Sequence, residues 1–377
     1  MELNRYQRKV YDDLRSYLNC VNQTSDVFEA YKQHWNNKDV RVGLGGVRPY
    51  KNNIAGVPHV CFKVPTGGGK TFLACASVKP IFDAMPLNKT QIVVWLVPSN
   101  AILEQTIKNL SDAFHPYRQR LDRDFSGRVM IYTKEQLLNG QNFNPVSVKE
   151  QLSICILSYD SIRSKKKDGR KVYEQNSQLA PFTKSQPTPE TLIDGVDNTA
   201  LIQVLNQLSP VIIVDESHNA ESDLSVEMLN NLNPSMVLDL TATPKENSNI
   251  ISYVDARELK KENMVKLPVV VYNRNTLNDV VENAIVLRKS IEKQAIEAEN
   301  KGGKYIRPIV LFQAQPKGKE DATTFKKLKQ DLMERLEIPE NEIAIKTSDI
   351  NELKNVDLMS KDCQIRYIIT VNALKEG

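Results

Sequence analysis

Val64-Pro65-Thr66-Gly67-Gly68-Gly69-Lys70-Thr71 decides the reading of this chain. It follows a short apolar run at 59–64, which reads as a strand. It opens a stretch with helical spacing from Lys70 to about residue 84. Strand, glycine-rich turn and helix together form the context that a phosphate-binding loop requires. Three glycines let main-chain N–H groups turn inward with no Cβ in the way. The start of the helix adds the positive end of its dipole. On this reading Thr66, Gly67, Gly68 and Gly69 cradle the phosphates of ATP. Lys70 reaches the β- and γ-phosphates, and the Thr71 hydroxyl holds Mg²⁺. One position departs from the full motif, because Val64 stands where a glycine is usual. Taken alone, the run also reads as an ordinary turn between a strand and a helix.

A second signal lies downstream. Val211-Ile212-Ile213-Val214-Asp215-Glu216-Ser217-His218 places two carboxylates just past a continuous apolar run. In open α/β sheets the ligand sits outside the carboxyl ends of the strands. Asp215 is expected to bind Mg²⁺ through water, and Glu216 to orient and polarise the attacking water. Two adjacent acids at a buried strand end are costly without a cation close by. By itself this too reads as a solvated acidic loop. Both motifs, in this order, read as a site for nucleotide hydrolysis.

Around these motifs the chain alternates short apolar runs with amphipathic stretches. Runs at 91–97, 128–132, 153–157, 211–214 and 236–240 read as strands, and 100–110 as a helix. This order predicts an α/β fold with a parallel sheet covered on both faces. Apolar residues at helical spacing from Tyr6 to Leu18 predict a helix over 3–18, followed by a glycine-containing loop. Residues 163–207 interrupt the pattern with a basic run and a Pro, Thr and Ser-rich stretch, and read as an exposed insertion or a poorly ordered loop. A second unit begins near Met264. Strands are expected at 267–272, 308–313 and 366–371, and helices at 279–300 and 322–336. A strand running straight into a loop is an unusual end for a domain, so the second unit reads as cut short at Gly377.

Composition sets the class. The chain has 377 residues, 41% hydrophobic and 25% charged, ordinary for a globular protein of two or three domains. A formal net charge of +4 permits a nucleic-acid partner without requiring one. Five cysteines without a CxxC pair fit free thiols in a reducing compartment better than disulfides or a zinc site. No apolar stretch approaches the ~20 residues of a membrane span. The polar N-terminus lacks a signal-peptide pattern. The expectation is a cytoplasmic protein.

With these residues in hand, the chain resembles a superfamily-two helicase of the DEAD/DEAH type. The resemblance is closest to the ATPase part of the type III restriction enzyme Res subunit group, and it covers nearly the whole chain. Pro65–Thr71 corresponds to motif I, and Asp215-Glu216-Ser217-His218 to the Asp-Glu-Ala-His box with serine third. Thr241-Ala242-Thr243-Pro244 corresponds to motif III. The resemblance gives His218, Thr241 and Thr243 a role in coupling ATP turnover to movement. Val97-Pro98-Ser99-Asn100 resembles motif Ia, which implies that Pro98, Ser99 and Asn100 touch a strand backbone. Residues 309–313 resemble motif IV and 368–377 the start of motif V, which adds Gln313 and Thr370 to the nucleic-acid contacts. Tyr6-Gln7 resembles the upstream adenine-reading element. Gln7 would be the amide that recognises the base; the competing reading is an ordinary surface glutamine.

The resemblance implies two RecA-like domains with parallel sheets, 1–255 and an incomplete 265–377, with ATP in the cleft between them. It implies an ATP-dependent helicase or translocase on DNA, with RNA as the competing substrate. Two further readings stay open at this point. One is the motor part of a restriction or phage-defence nuclease, and one is a nucleotide-dependent binding module without turnover. A nuclease or methyltransferase partner subunit belongs to the same picture. Motif VI with its arginine finger is expected beyond Gly377, so this chain is expected to hydrolyse ATP slowly. Two basic patches, one in the run Arg163–Lys171 and one at His115-Pro116-Tyr117-Arg118 with Arg120, read equally as phosphate contacts and as solvated loops. Trp35 and Trp95 read as core.

Overall fold

Apolar runs without alternation become strands buried on both faces, because successive side chains point to opposite sides of a sheet. The computed structural model describes residues 2–85, 90–163, 167–185, 192–216, 223–264, 271–316, 323–358 and 360–371. They fall into two units, Met1–Leu267 and Pro268–Gly377. In the first, β1 (His59–Lys63), β2 (Ile92–Val97), β3 (Val129–Tyr132), β4 (Leu152–Ser158), β5 (Val211–Asp215), β6 (Met236–Thr241) and β7 (Ile250–Tyr253) form one sheet. All described pairings are parallel, in the order β3-β4-β2-β5-β6-β1-β7.

Alternate residues of each strand feed two cores. Val60, Phe62, Val93, Trp95, Ile213 and Leu238 pack on one side. Ile92, Val94, Leu96, Cys155, Ile212 and Val214 pack on the other. Each such aliphatic side chain contributes about 1.5–3 kcal/mol on burial. The first side is covered by α1 (Arg5–Thr24), α2 (Val27–Asn36), α3 (Lys70–Asp83), α4 (Asn100–Ser111) and α5 (Pro116–Asp124). The second is covered by α6 (Lys134–Leu138), α7 (Ser147–Glu150), α8 (Lys167–Tyr173), α9 (Ala180–Ser185), α10 (Leu201–Leu208) and α11 (Asp223–Asn231). A short α12 (Ala256–Lys261) returns to the first side through Leu259.

Local chemistry sets the helix starts. Asn4 and Gln7 form a reciprocal capping box at α1, and Asp26 caps α2 through the Phe28 and Glu29 amides. The edge strand β7 is closed by α2. Tyr31 and Trp35 donate to the Ile250 carbonyl, and His34 and Lys38 to that of Ile251. An exposed strand edge invites pairing with another chain, and these four side chains occupy its acceptors.

The second unit holds α13 (Leu277–Asn300), β8 (Val310–Gln313), α14 (Phe325–Glu334), β9 (Ile343–Lys346) and β10 (Tyr367–Thr370). Its three-stranded parallel sheet has the order β8-β10-β9. Phe312, Tyr367, Ile369, Leu328 and Leu332 form its core.

Two expectations are corrected. Among the described residues of 163–207, Val172, Leu179, Phe182, Leu201, Ile202, Val204 and Leu205 are buried in the second core, so they do not form an exposed insertion. Their helices are too short to leave a periodic signature. No strand forms at 271–272, where Val271 and Tyr272 are exposed; the rest of that expected strand lies outside the described residues. The strands β7 and β9 and the helix α2 have no counterpart in the sequence pattern, since four-residue strands carry little periodicity. Trp35 and Trp95 are core residues as expected, and none of the five cysteines forms a disulfide. Among the described residues no helix is long and apolar enough to cross a membrane.

Candidate active site

Strand order assembles the site. β5, β6 and β1 are neighbours, so their carboxyl ends lie side by side. Lys63 is in register with Thr241, and Asp215 with Leu240, which puts the ends level. The loop 64–69 leaves β1, Thr241 ends β6, and the acid turn Asp215–Glu216 leaves β5. The Val64 amide donates to the Thr241 carbonyl at 2.9 Å, fixing where the loop begins.

The loop is tightly made. Gly69 is the N-cap of α3, with φ 71°, a left-handed conformation that glycine adopts without strain. A Cβ on Gly69 would lie 2.6 Å from Gln7 Nε2, and one on Gly68 would lie 2.6 Å from Val64 Cγ1. Val64 is fully buried and fills the room beneath Gly68, which is how the loop absorbs its departure from the usual glycine. From the other side α1 presses its first turn against the loop. Tyr6 Oη donates to the Gly68 carbonyl at 2.8 Å, and Gln7 Nε2 to the same oxygen at 3.4 Å. Gln7 is fully buried, so the reading of it as a surface glutamine is excluded.

Lys70 begins α3 and is only 7% exposed. Its Nζ lies 2.8 Å from Glu216 Oε1, across the end of β6. Asp215 is buried, and its main-chain carbonyl accepts the Tyr159 hydroxyl from the 3₁₀ turn Tyr159–Ile162 after β4. Glu216 has φ 51°, an unusual conformation for a residue with a Cβ, as functional turns often show. Thr71 is half-buried in the first turn of α3, while Thr66 and Gly67 are exposed. A glycine cradle that excludes Cβ atoms, a buried cation at a helix start and a carboxylate at an adjacent strand end fit a triphosphate. The oxygen donors of Thr71 and Asp215 fit a hard cation such as Mg²⁺.

The remaining expected residues are placed as follows. Thr241 is fully buried, and its hydroxyl accepts the Thr243 amide at 3.1 Å. Pro98 and Ser99 are half-buried and Asn100 is exposed where β2 passes into α4; the Ser99 hydroxyl caps that helix at the Ile102 amide. In the second unit Gln313 is exposed at the end of β8 and Thr370 is buried at the end of β10. His218, the motif V residues 372–377 and residues 164–166 of the basic run lie outside the described residues. The patch around His115 carries little free charge, because Arg118 pairs with Asp122 and Arg120 with Asp124.

The family described as type III restriction enzyme, res subunit, matches residues 1–246, nearly two thirds of the chain. The chain belongs to the type III restriction enzyme Res subunit family. Its first unit is therefore a RecA-like domain of the superfamily-two helicase type. No curated protein sequence matches this Res-family chain. Among solved structures it is similar to the ATP-dependent type ISP restriction-modification enzyme LlaBIII bound to DNA. That match has 12% identity and a TM-score of 0.45, and covers 100% of this chain and 25% of that one. It is similar to a nuclease-deletion mutant of the type ISP enzyme LlaGI with a DNA substrate mimic, at 15% identity and a TM-score of 0.37, covering 80% and 23%. It is also similar to the Sulfolobus solfataricus SWI2/SNF2 ATPase core with double-stranded DNA, at 12% identity and a TM-score of 0.34, covering 98% and 78%. The chain thus spans about a quarter of the length of the two type ISP enzymes it matches.

Two residues at the site carry no functional signal of their own in the sequence. Tyr159 stands in no motif, and Tyr6 is marked only by its neighbour Gln7. They reach main-chain carbonyls 56 and 62 positions away, a relation that no local pattern encodes.

Proposed function

We propose that this chain is a motor portion that hydrolyses ATP with Mg²⁺ and couples the reaction to translocation on, or remodelling of, DNA. The observation that carries the proposal is the 2.8 Å approach of Lys70 to Glu216, which joins the glycine loop and the acid turn into one site. Gly67, Gly68 and Gly69 hold phosphate oxygens through their amides, with Thr66 at the entrance. Lys70 neutralises the β- and γ-phosphates. The Thr71 hydroxyl and, through water, the Asp215 carboxylate would hold Mg²⁺, which would supply charge neutralisation at the transferring group. Glu216 accepts a hydrogen bond from the attacking water and takes up its proton. Thr241 ends the strand between the two halves of the site, a place suited to passing changes between them, with Thr243 beside it and His218 as a further partner.

Membership of a restriction-enzyme subunit family favours DNA over RNA, within a restriction or phage-defence assembly that includes a nuclease or methyltransferase subunit. Pro98, Ser99, Asn100, Gln313 and Thr370 are the proposed contacts to the strand backbone. We assign 1–255 and 265–377 as the two RecA-like domains.

The test compares wild type with Lys70→Ala for nucleotide affinity, melting and ATPase activity, with and without DNA or RNA. The variant is expected to lose about 10- to 100-fold in ATP affinity, the worth of a charge-assisted contact, while melting cooperatively. Equal affinity in both proteins would sink the phosphate site. Stimulation by RNA alone would replace DNA as substrate, and binding without turnover in the full-length protein would favour a binding module.

A further inference from the structure

The loop at 46–48, the end of β1, the loop after β6 and the edge strand β7 surround an open groove of about 440 Å³ in the first unit. Its floor is aromatic. Tyr31 and Trp35 are buried there, and both donate to the Ile250 carbonyl. The Tyr253 ring lies at 21° to that of Trp35, with centroids 6.5 Å apart, and the residue is 52% exposed. The rim is cationic. Arg48, Lys63 and Lys245 line the groove with their side chains in solvent, and among the described residues no carboxylate lines it. Lys63 and Tyr253 are in register on neighbouring parallel strands, so their side chains leave the same face of the sheet. Lys9 and Lys38 stand over the Tyr253 and Trp35 rings, but each is paired, with Glu258 and Asp13. Arg48 and Lys63 form no ion pair with a described residue. Cations so placed gain little for folding and raise a positive potential over the groove.

Positive potential above an aromatic floor suits a ligand with both negative charge and a π-face, which describes a nucleotide. The three cations come from three segments and do not converge in an enclosed pocket, as polar groups around a small ligand do. A polymer whose phosphates are neutralised one after another fits this arrangement better. We propose that the groove beside β7 is a second nucleic-acid contact. Arg48, Lys63 and Lys245 meet successive phosphates of a strand, and a base rests on the exposed part of Tyr253. The inference rests on the nucleic-acid reading given above but uses a different surface. β7 lies four inter-strand steps of about 4.8 Å from β2, whose end carries Pro98, Ser99 and Asn100.

The experiment measures binding of a fluorescein-labelled 20-nucleotide oligothymidylate, and of an abasic strand of equal length, across a range of salt concentrations. Proteins compared are wild type, the combined Arg48→Ala, Lys63→Ala and Lys245→Ala variant, Tyr253→Leu, and a control with Lys289→Ala, Lys293→Ala and Lys301→Ala, which removes three exposed charges from α13. Melting curves establish that each is folded. The groove variant is expected to lower the slope of log affinity against log salt by about 2, since each phosphate contact on a single strand contributes about 0.7. The control is expected to keep the wild-type slope. Tyr253→Leu is expected to weaken the oligothymidylate about fivefold or more and to leave the abasic strand unchanged, because only the former can stack. An equal change of slope in groove variant and control would overturn the inference in favour of a global charge effect. Wild-type binding by the groove variant would overturn it while leaving the contacts at the end of β2 standing. Equal weakening of both strands by Tyr253→Leu would remove the base from the groove. No strand binding by the wild type would remove the nucleic-acid reading itself.

Discussion

Lys70 Nζ and Glu216 Oε1 stand 2.8 Å apart although 146 positions separate them in the chain, a contact made because β6 alone lies between the strands that carry them. The ammonium is nearly buried and the carboxylate largely so, so each charge depends on the other for solvation. The same pair sets the expected behaviour of the acid.

Glu216→Gln is expected to keep nucleotide affinity within about threefold and to lower hydrolysis by about 10²–10⁴, the range for loss of a general base. The amide is nearly isosteric and still accepts a bond from Lys70, but it cannot take up a proton. Single-turnover hydrolysis beside equilibrium binding checks this. Wild-type turnover would remove Glu216 from the chemistry.

Gly69→Ala is expected to weaken ATP binding about tenfold. An alanine at φ 71° costs about 1–2 kcal/mol, and its Cβ would meet Gln7 Nε2 at 2.6 Å. The cost is relieved by moving the loop, and the phosphate cradle moves with it. Titration of ATP into the variant reads the effect, and unchanged affinity would show that the loop tolerates a side chain there.

His34 makes stability depend on pH. Its Nε2 lies 2.8 Å from the Ile251 carbonyl, which can only accept, so the neutral ring carries its proton there. Burial, helped by the Lys38 ammonium, pushes its pKa down to about 4. A depressed histidine stays neutral when folded, while the unfolded chain binds a proton below about pH 6.5. Its contribution is therefore complete above pH 6.5 and is lost as pH falls toward 4, by about 3 kcal/mol across that window. Urea titrations of wild type and His34→Gln from pH 7 to 4.5 should converge as the pH drops. Parallel pH profiles would contradict the assignment.

Phe182→Ala tests the corrected role of the segment before β5. Phe182 is buried and packs on Phe143 with ring centroids 4.9 Å apart. The substitution is expected to cost about 3–5 kcal/mol, as for buried aromatics cut to alanine in general. A residue on an exposed loop would change stability by less than ~0.5 kcal/mol. Chemical denaturation distinguishes the two.

The α/β class, most strands of the first sheet, the glycine loop and the acid pair were legible in the sequence because each is a local pattern. An apolar run buried on both faces needs no knowledge of its neighbours to be read as a strand. Gly67–Gly69 before Lys70 declare a turn that only glycine accommodates. The tertiary structure alone decided which strand ends meet. The order β5-β6-β1 puts Glu216 beside Lys70, and the packing of α1 places Tyr6 and Gln7 on the Gly68 carbonyl. It also decided that the short helices carrying Val172, Phe182 and Leu205 cover the second face of the sheet. These relations depend on burial and on contacts between residues far apart in the chain, and a pattern read along the chain carries neither.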